Sequence, residues 1–416
     1  MKRLLTLRWL IALPLLFSLS GCLKDTCRET YRLNIPVYKS LSAVRADMKG
    51  EAPREIQYPG KIFTIGNYLF INEVERGIHV IDNSNPAAPK NISFINIPGN
   101  VDMSVQNNTL YADSYSDLVT LDISDVRNVT AKKFVSNVFP DRNLYYATGT
   151  NPDSIQVIVD FIAKDTVIDC QTYSPMSGCA TCAYATDTRA AMSAAGGKSG
   201  KGGSMARFAI LRNHLYTVTR SDLKVFSLSQ PLDPQLITTR NIGSWNIETI
   251  FPFIDKLFIG STSGMFIFDV TDPGSPNKTG QFAHVQSCDP VIADENYAYV
   301  TLRNNTVCTG TVNQLDVIDI RTTIPTLIKT YPLTNPHGLS KENNTLLVGE
   351  GNAGFKIFDA SNVYSIKQIG HVKGIDAFDV ITNGNLALVI GKDGLYQYDI
   401  SNNTNIRQLS RIPVNN

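Results

Sequence analysis

Gly77-Ile-His-Val-Ile-Asp82-Asn-Ser-Asn-Pro86 is an apolar run that ends in Asp and breaks into a Ser/Asn/Pro turn. The pattern returns at Leu118-Val-Thr-Leu-Asp122-Ile-Ser-Asp125, Met265-Phe-Ile-Phe-Asp269-Val-Thr-Asp-Pro273 and Leu315-Asp-Val-Ile-Asp319-Ile. It closes with Phe355-Lys-Ile-Phe-Asp359-Ala-Ser-Asn362 and Leu395-Tyr-Gln-Tyr-Asp399-Ile-Ser-Asn402. A seventh copy, Leu223-Lys-Val-Phe-Ser227, has Ser at the Asp position. The intervals are 40, 105, 42, 50, 40 and 40 residues. A carboxylate at this place accepts backbone N–H groups two or three residues on, so the repeated Asp reads as a turn residue.

About ten residues before most copies lies a second β-rich run, as in Tyr68-Leu-Phe-Ile71, Leu215-Tyr-Thr-Val218, Tyr297-Ala-Tyr-Val300 and Leu386-Ala-Leu-Val389. A shorter apolar stretch precedes each of these, and an alternating stretch such as Ala131-Lys-Lys-Phe-Val-Ser136 follows each Asp turn. That makes four short strands per unit. Residues 60–413, less an insertion at 141–205, average about 41 residues for each of seven units. Four-stranded units of ~40 residues in tandem are the signature of a β-propeller. The expected fold is all-β, a seven-bladed β-propeller of four-stranded antiparallel blades. Six or eight blades remain open if the insertion hides a unit or a weak copy is no blade.

Recurring Trp-Asp pairs are absent, which excludes WD40 repeats, and no Gly-Gly pairs recur as Kelch blades require. The units resemble instead the LVIVD-repeat family of propeller lipoproteins common in Bacteroidetes, in which a Leu-x-Ile-Val-Asp-like strand precedes a Ser-Asp/Asn-Pro turn. The resemblance covers roughly residues 60–413. It departs at Ser227, and at Ile357-Phe358 and Gln397-Tyr398, which loosen the Ile-Val pair. It implies a propeller architecture and an envelope location, and no activity.

The N-terminus is consistent with that address. Met1-Lys2-Arg3 is cationic, Leu10 to Phe17 is an apolar core too short for a membrane span, and Leu19-Ser20-Gly21-Cys22 looks like a bacterial lipobox. Residues 1–21 are thus expected to be a lipoprotein signal peptide and Cys22 the lipidated residue, the chain's sole membrane contact. No Asp follows Cys22 directly, which favours the outer membrane, and Lys24-Asp25 leaves periplasmic face and cell surface both open. The whole chain balances 38 basic against 37 acidic groups; without residues 1–21 the balance is 35 against 37. Near neutrality argues against nucleic acid as a partner. At 43% hydrophobic and 18% charged, the composition is that of a folded domain.

Residues 22–59 read as a tether. Tyr31 to Tyr38 alternates and suits a strand on an outer edge. Ser40 to Gly50 reads as a short helix, with Ser40 as cap, Leu41, Val44 and Met48 on one face, and Gly50 as terminator.

Two excursions fall on one propeller face: the insertion at 141–205 and the Arg303–Gln314 hairpin. Ile155 to Ile162 has strand character, whereas Ala190 to Ser204, with its Gly196–Gly203 tract, reads as flexible. The tract is no phosphate loop, because Met192 stands where the first Gly belongs, and Gly260-Ser-Thr-Ser-Gly264 lacks the Ser of a nucleophile elbow.

The innermost strands begin with Asp102, Arg207, Glu248, Asp289, His337, Asp376 and Asp379, which should converge on the mouth of the central channel. Such an oxygen-rich group is a candidate Ca²⁺ or Mg²⁺ site; the plainer reading is that these groups bond loop amides. The five histidines show no metal-ligand spacing, and Trp245 is expected to pack between blades, with stacking on a sugar as the alternative.

Beyond Cys22 there are six cysteines, an even number suited to disulfides in an oxidising envelope. Cys288 and Cys308, on one face of unit five, form the first expected pair. Cys170, Cys179, Cys182 and Cys27 are left with their pairing open. The expectation for function is a monomeric, non-enzymatic module binding a protein or glycan through the insertion-bearing face. The alternative is an envelope polysaccharide hydrolase or lyase working at the acidic channel mouth with Asp289 or His337.

Overall fold

The computed structural model describes residues 28–142, 145–147, 151–169, 201–287, 290–304, 311–402 and 405–415. The signal-like leader, all seven cysteines and Asp289 lie outside them. Among the described residues no helix is long and apolar enough to cross a membrane.

The strands form seven four-stranded antiparallel blades. Blade 1 is Pro59–Ile65, Tyr68–Glu73, Gly77–Asp82 and Lys90–Asn96, and blade 2 is Met103–Gln106, Thr109–Ser114, Asp117–Asp122 and Thr130–Val135. Blades 3 to 7 begin with Phe208–Leu211, Ile247–Phe253, Val291–Ala293, Leu339–Glu342 and Ala377–Asn383. The first strands of blades 1 to 7 touch in sequence, and blade 1 meets blade 7, so the blades form a ring around an axis. The seven expected units are the seven blades, and none is hidden in the described part of the insertion.

Local chemistry explains the regularity. Asp82, Asp122, Asp269, Asp319, Asp359 and Asp399 each end a third strand and accept the N–H two residues on at 2.9–3.0 Å; Ser227 does the same through its hydroxyl at 3.3 Å. Hydrogen bonds to these carboxylates hold them below the usual range, Asp319 at about 2 under the Arg321 side chain. In all seven blades the pairing of third and fourth strands carries a bulge near this end. In blades 1, 4 and 7 the third strand opens on Gly77, Gly264 or Gly394, and in blade 6 Gly354 directly precedes it; at each a Cβ would strike a carbonyl of the fourth strand.

Blade faces are apolar on both sides and pack on their neighbours. Phe70, Ile78, Val105 and Leu118 join blades 1 and 2 in one cluster, and Ile62, Ile71, Phe378, Ile381 and Leu388 join blades 1 and 7 in another. The ring closes without a shared blade. Ile56 bridges Val414 in parallel, and Asn83 and Gln397 exchange side-chain hydrogen bonds at 3.0 and 2.7 Å.

Two compact units divide the chain, and the smaller comprises residues 1–38 and 160–185. Strand Arg28–Ser40 pairs with Ile155–Asp169, and most of both strands is the described part of this unit. Tyr31 to Tyr38 is thus a strand, but its partner is the insertion and not a blade edge. The larger unit begins at residue 39, so the second half of the expected tether folds with the propeller. Its helix is Leu41–Ala46, capped by Ser40, with Leu41, Val44 and Met48 buried against blades 1 and 2. Gly50 does not end the helix. It lies in strand Lys49–Glu51, which sits between the outer strands of blades 1 and 2, and a Cβ there would press on the Val129 backbone 2.8 Å away.

Candidate functional site

The innermost strand of a propeller blade has one unpaired edge, facing the axis. In blade 1 that edge is taken by Lys201–Gly202, antiparallel to Pro59–Ile65, with Lys201 opposite Thr64 and Gly202 opposite Phe63. The antiparallel sense places Lys201 at the end of the channel where the first two strands of each blade turn. The chain then climbs toward Arg207 at the other end. This corrects two expectations. The last part of the Gly/Lys tract is a buried strand, not a flexible loop, and the insertion does not return wholly on the face it leaves.

The segment touches several blades as it crosses. Lys201 Nζ donates to Glu342 Oε2 at 2.9 Å and Thr382 Oγ1 at 3.2 Å. Ser204 Oγ accepts Leu339 N–H at 2.7 Å, and Ile250 N–H donates to the Ala206 carbonyl at 2.6 Å. A Cβ at Gly203 or at Gly338 would collide with the Asp379 carboxylate. Glycine is therefore required here for close approach, which composition alone reads as flexibility.

Beside the segment lies a buried ionic network. Lys61 Nζ pairs with Asp102 Oδ2, both side chains almost fully buried, and the same oxygen accepts Arg207 N–H at 2.7 Å. Asp113 Oδ1 accepts the N–H groups of Val101 and Asp102 at 2.7 and 2.9 Å, while its Oδ2 pairs with Arg142. Burial raises the Asp102 pKa against the pull of Lys61, and burial lowers that of Lys61 against the pull of Asp102. Arg207 Nη2 donates to the Ile247 carbonyl at 3.0 Å, and its charge feels Asp102, Asp113 and Glu248.

The predicted channel-mouth residues are therefore only partly gathered. Asp102, Arg207 and Glu248 interact. Asp379 is enclosed behind Gly203 and Gly338. His337 sits with Arg303 Nη1 at 3.0 Å from its ring nitrogens and the Phe378 ring at 6.0 Å. Asp376 is half-buried and uses its backbone carbonyl to accept Lys392 N–H at 3.0 Å. Among the described residues no three His, Cys, Asp or Glu side chains are grouped to hold a metal ion. Asp102 and Asp113 already have Lys61 and Arg142 as their counter-charges, and Asp289, another carboxylate of the expected cation site, lies outside the described residues.

Lys61, Asp113 and Arg142 are the members that the sequence reading missed. A lysine in the otherwise apolar innermost run Ile62-Phe63 was the available signal for the first. Trp245 is 76% exposed, in the loop between blades 3 and 4, so it does not pack between blades. At the opposite end of the channel an open cleft of 1070 Å³ is lined by Tyr68, Asn107, Arg127, Lys201 and Asn383, among others.

Comparison with known proteins agrees with this architecture. Residues 60–95 match the LVIVD repeat. That span is blade 1 almost strand for strand, Asp82 turn included. The propeller is also similar in fold to three solved structures. The computationally designed protein Ika8 is 10% identical, with a TM-score of 0.52 over 87% of this chain and 90% of that one. A Lactobacillus plantarum protein is 11% identical, with a TM-score of 0.52 over 86% of this chain and 97% of that one. A functionally unknown protein from Desulfotomaculum acetoxidans is 14% identical, with a TM-score of 0.51 over 83% and 95%. Comparison with curated proteins finds no match.

The buried pair makes a direct prediction. Lys61→Met leaves Asp102 buried without its cation and lowers stability in urea unfolding by about 3–5 kcal/mol. Lys61→Met/Asp102→Leu regains most of that loss. A single variant as stable as the parent contradicts the pairing.

Proposed function

We propose that this LVIVD-repeat propeller is a lipid-anchored, non-enzymatic binding module of the outer membrane, at the cell surface or periplasmic face. It would take a protein or glycan partner on the face bearing the insertion and the loops between blades. The observation that carries this reading is Trp245. A large aromatic ring that is 76% exposed on a loop of that face is the residue type most enriched at binding hot spots. Tyr58, 57% exposed in the segment leading into blade 1, lies under the Arg76 guanidinium on the same side.

The alternative, a polysaccharide hydrolase or lyase, draws little from the channel. Its carboxylates at Asp102 and Asp113 are committed to cations and amides, and His337 is held by Arg303. A binding role uses the rim instead, where Trp245 is exposed. The lipobox-like Leu19-Ser20-Gly21-Cys22 supports the anchor.

Trp245 is the only tryptophan after Trp9, so residues 23–416 carry a built-in optical probe. Its emission should shift on titration with peptidoglycan fragments or with an outer-membrane protein extract. Trp245→Ala should weaken capture of the same partner at least tenfold while leaving the melting temperature unchanged, as expected of an exposed substitution. Undiminished capture by that variant contradicts the assignment of this face. The anchor is tested separately: Cys22→Ser should move the protein from the membrane to the soluble fraction, and retention in the membrane would overturn it.

A further inference from the structure

Among the described residues, Asp379 is a buried channel carboxylate that no ion pair neutralises. The residue is 2% exposed, and neither carboxylate oxygen has a hydrogen bond of normal geometry. It is wedged between the backbones of Gly203, in the channel segment, and Gly338, at the start of blade 6. The neighbouring charges are committed elsewhere. Lys61 pairs with Asp102, Lys201 with Glu342, and His337 sits against Arg303. Arg207 is drawn to Asp102, Asp113 and Glu248. We propose that Asp379 is a proton-operated latch: uncharged, it lets residues 201–204 seal the channel, and its ionisation frees them from the wall.

The geometry explains the sign. A neutral carboxyl can lie against two glycine backbones at little cost, whereas a carboxylate there loses its water and gains no ion pair in return. Burial accordingly pushes the Asp379 pKa up to about 7, with small opposing pulls from the Val380 and Ser204 N–H groups and from Lys61. With the segment released, the group is hydrated and returns to the ordinary range near ~4. The closed state is therefore fully favoured below that ordinary value. Its advantage falls as pH rises toward the raised value and levels off above it. The segment has somewhere to go, because Lys201 already lies at the rim of the open cleft at the far end of the channel.

The test is hydrogen exchange on the full chain, followed at Gly202, Gly203 and Ser204 and corrected for intrinsic rates. Protection there should fall about tenfold per pH unit between about pH 5 and 7 and be level above about 8. Blade amides such as those of Leu69 to Ile71 should not follow. Asp379→Asn, or Asp379→Ser if the first folds poorly, should abolish the slope. Protection that is flat across this range in the parent, or an equal slope in the variants, would overturn the latch.

Discussion

Seven blades packed as a ring leave an axial hole, and filling that hole is the constraint on which this structure depends. Water-filled channels tolerate polar inner-strand starts at no cost. Here the chain inserts its own backbone, residues 201–204, along the free edge of blade 1. Polar groups that face it then need partners inside the protein, and most find one while Asp379 does not. Asp102 finds Lys61 and the Arg207 N–H, Asp113 finds Arg142 and two loop amides, and Lys201 finds Glu342. Such pairs add little net stability over an apolar filling, but removing one member is costly, so they fix which groups sit together.

The blades were legible because each is a local unit with its own punctuation. Asp82 and its five counterparts end a strand and hold the turn that follows, and Ser227 does so with a hydroxyl. Those contacts span two residues, so they show in a single sequence. Ring closure does not, since Ile56 with Val414 and Asn83 with Gln397 are separated by most of the chain. The early strand Arg28–Ser40 shows the same limit. Its alternation announces a strand correctly, yet nothing local says that its partner is Ile155–Asp169 rather than a blade edge.

The site was legible by position more than by chemistry. Inner-strand starts point inward, which placed Asp102, Arg207 and Asp379 near the axis. Their roles turn on Lys61, Asp113, Arg142 and Gly203, drawn from other places in the chain. Gly202 and Gly203 illustrate the difficulty. By composition they suggest backbone freedom, while in the structure Gly202 pairs with Phe63 as a strand and Gly203's lack of a side chain admits the Asp379 carboxylate. Trp245 misled in the opposite direction, because large aromatics are usually buried and this one is not.

The occupied axis is tested most directly by a cysteine pair at Lys201 and Thr64, which face each other across the antiparallel pairing. Under mild oxidation, Lys201→Cys/Thr64→Cys should form a disulfide, identified as a linked peptide by mass spectrometry, because opposed residues in such a pair lie within disulfide reach. Two thiols that stay free and are modified at equal rates would contradict the account, and would return the channel to solvent.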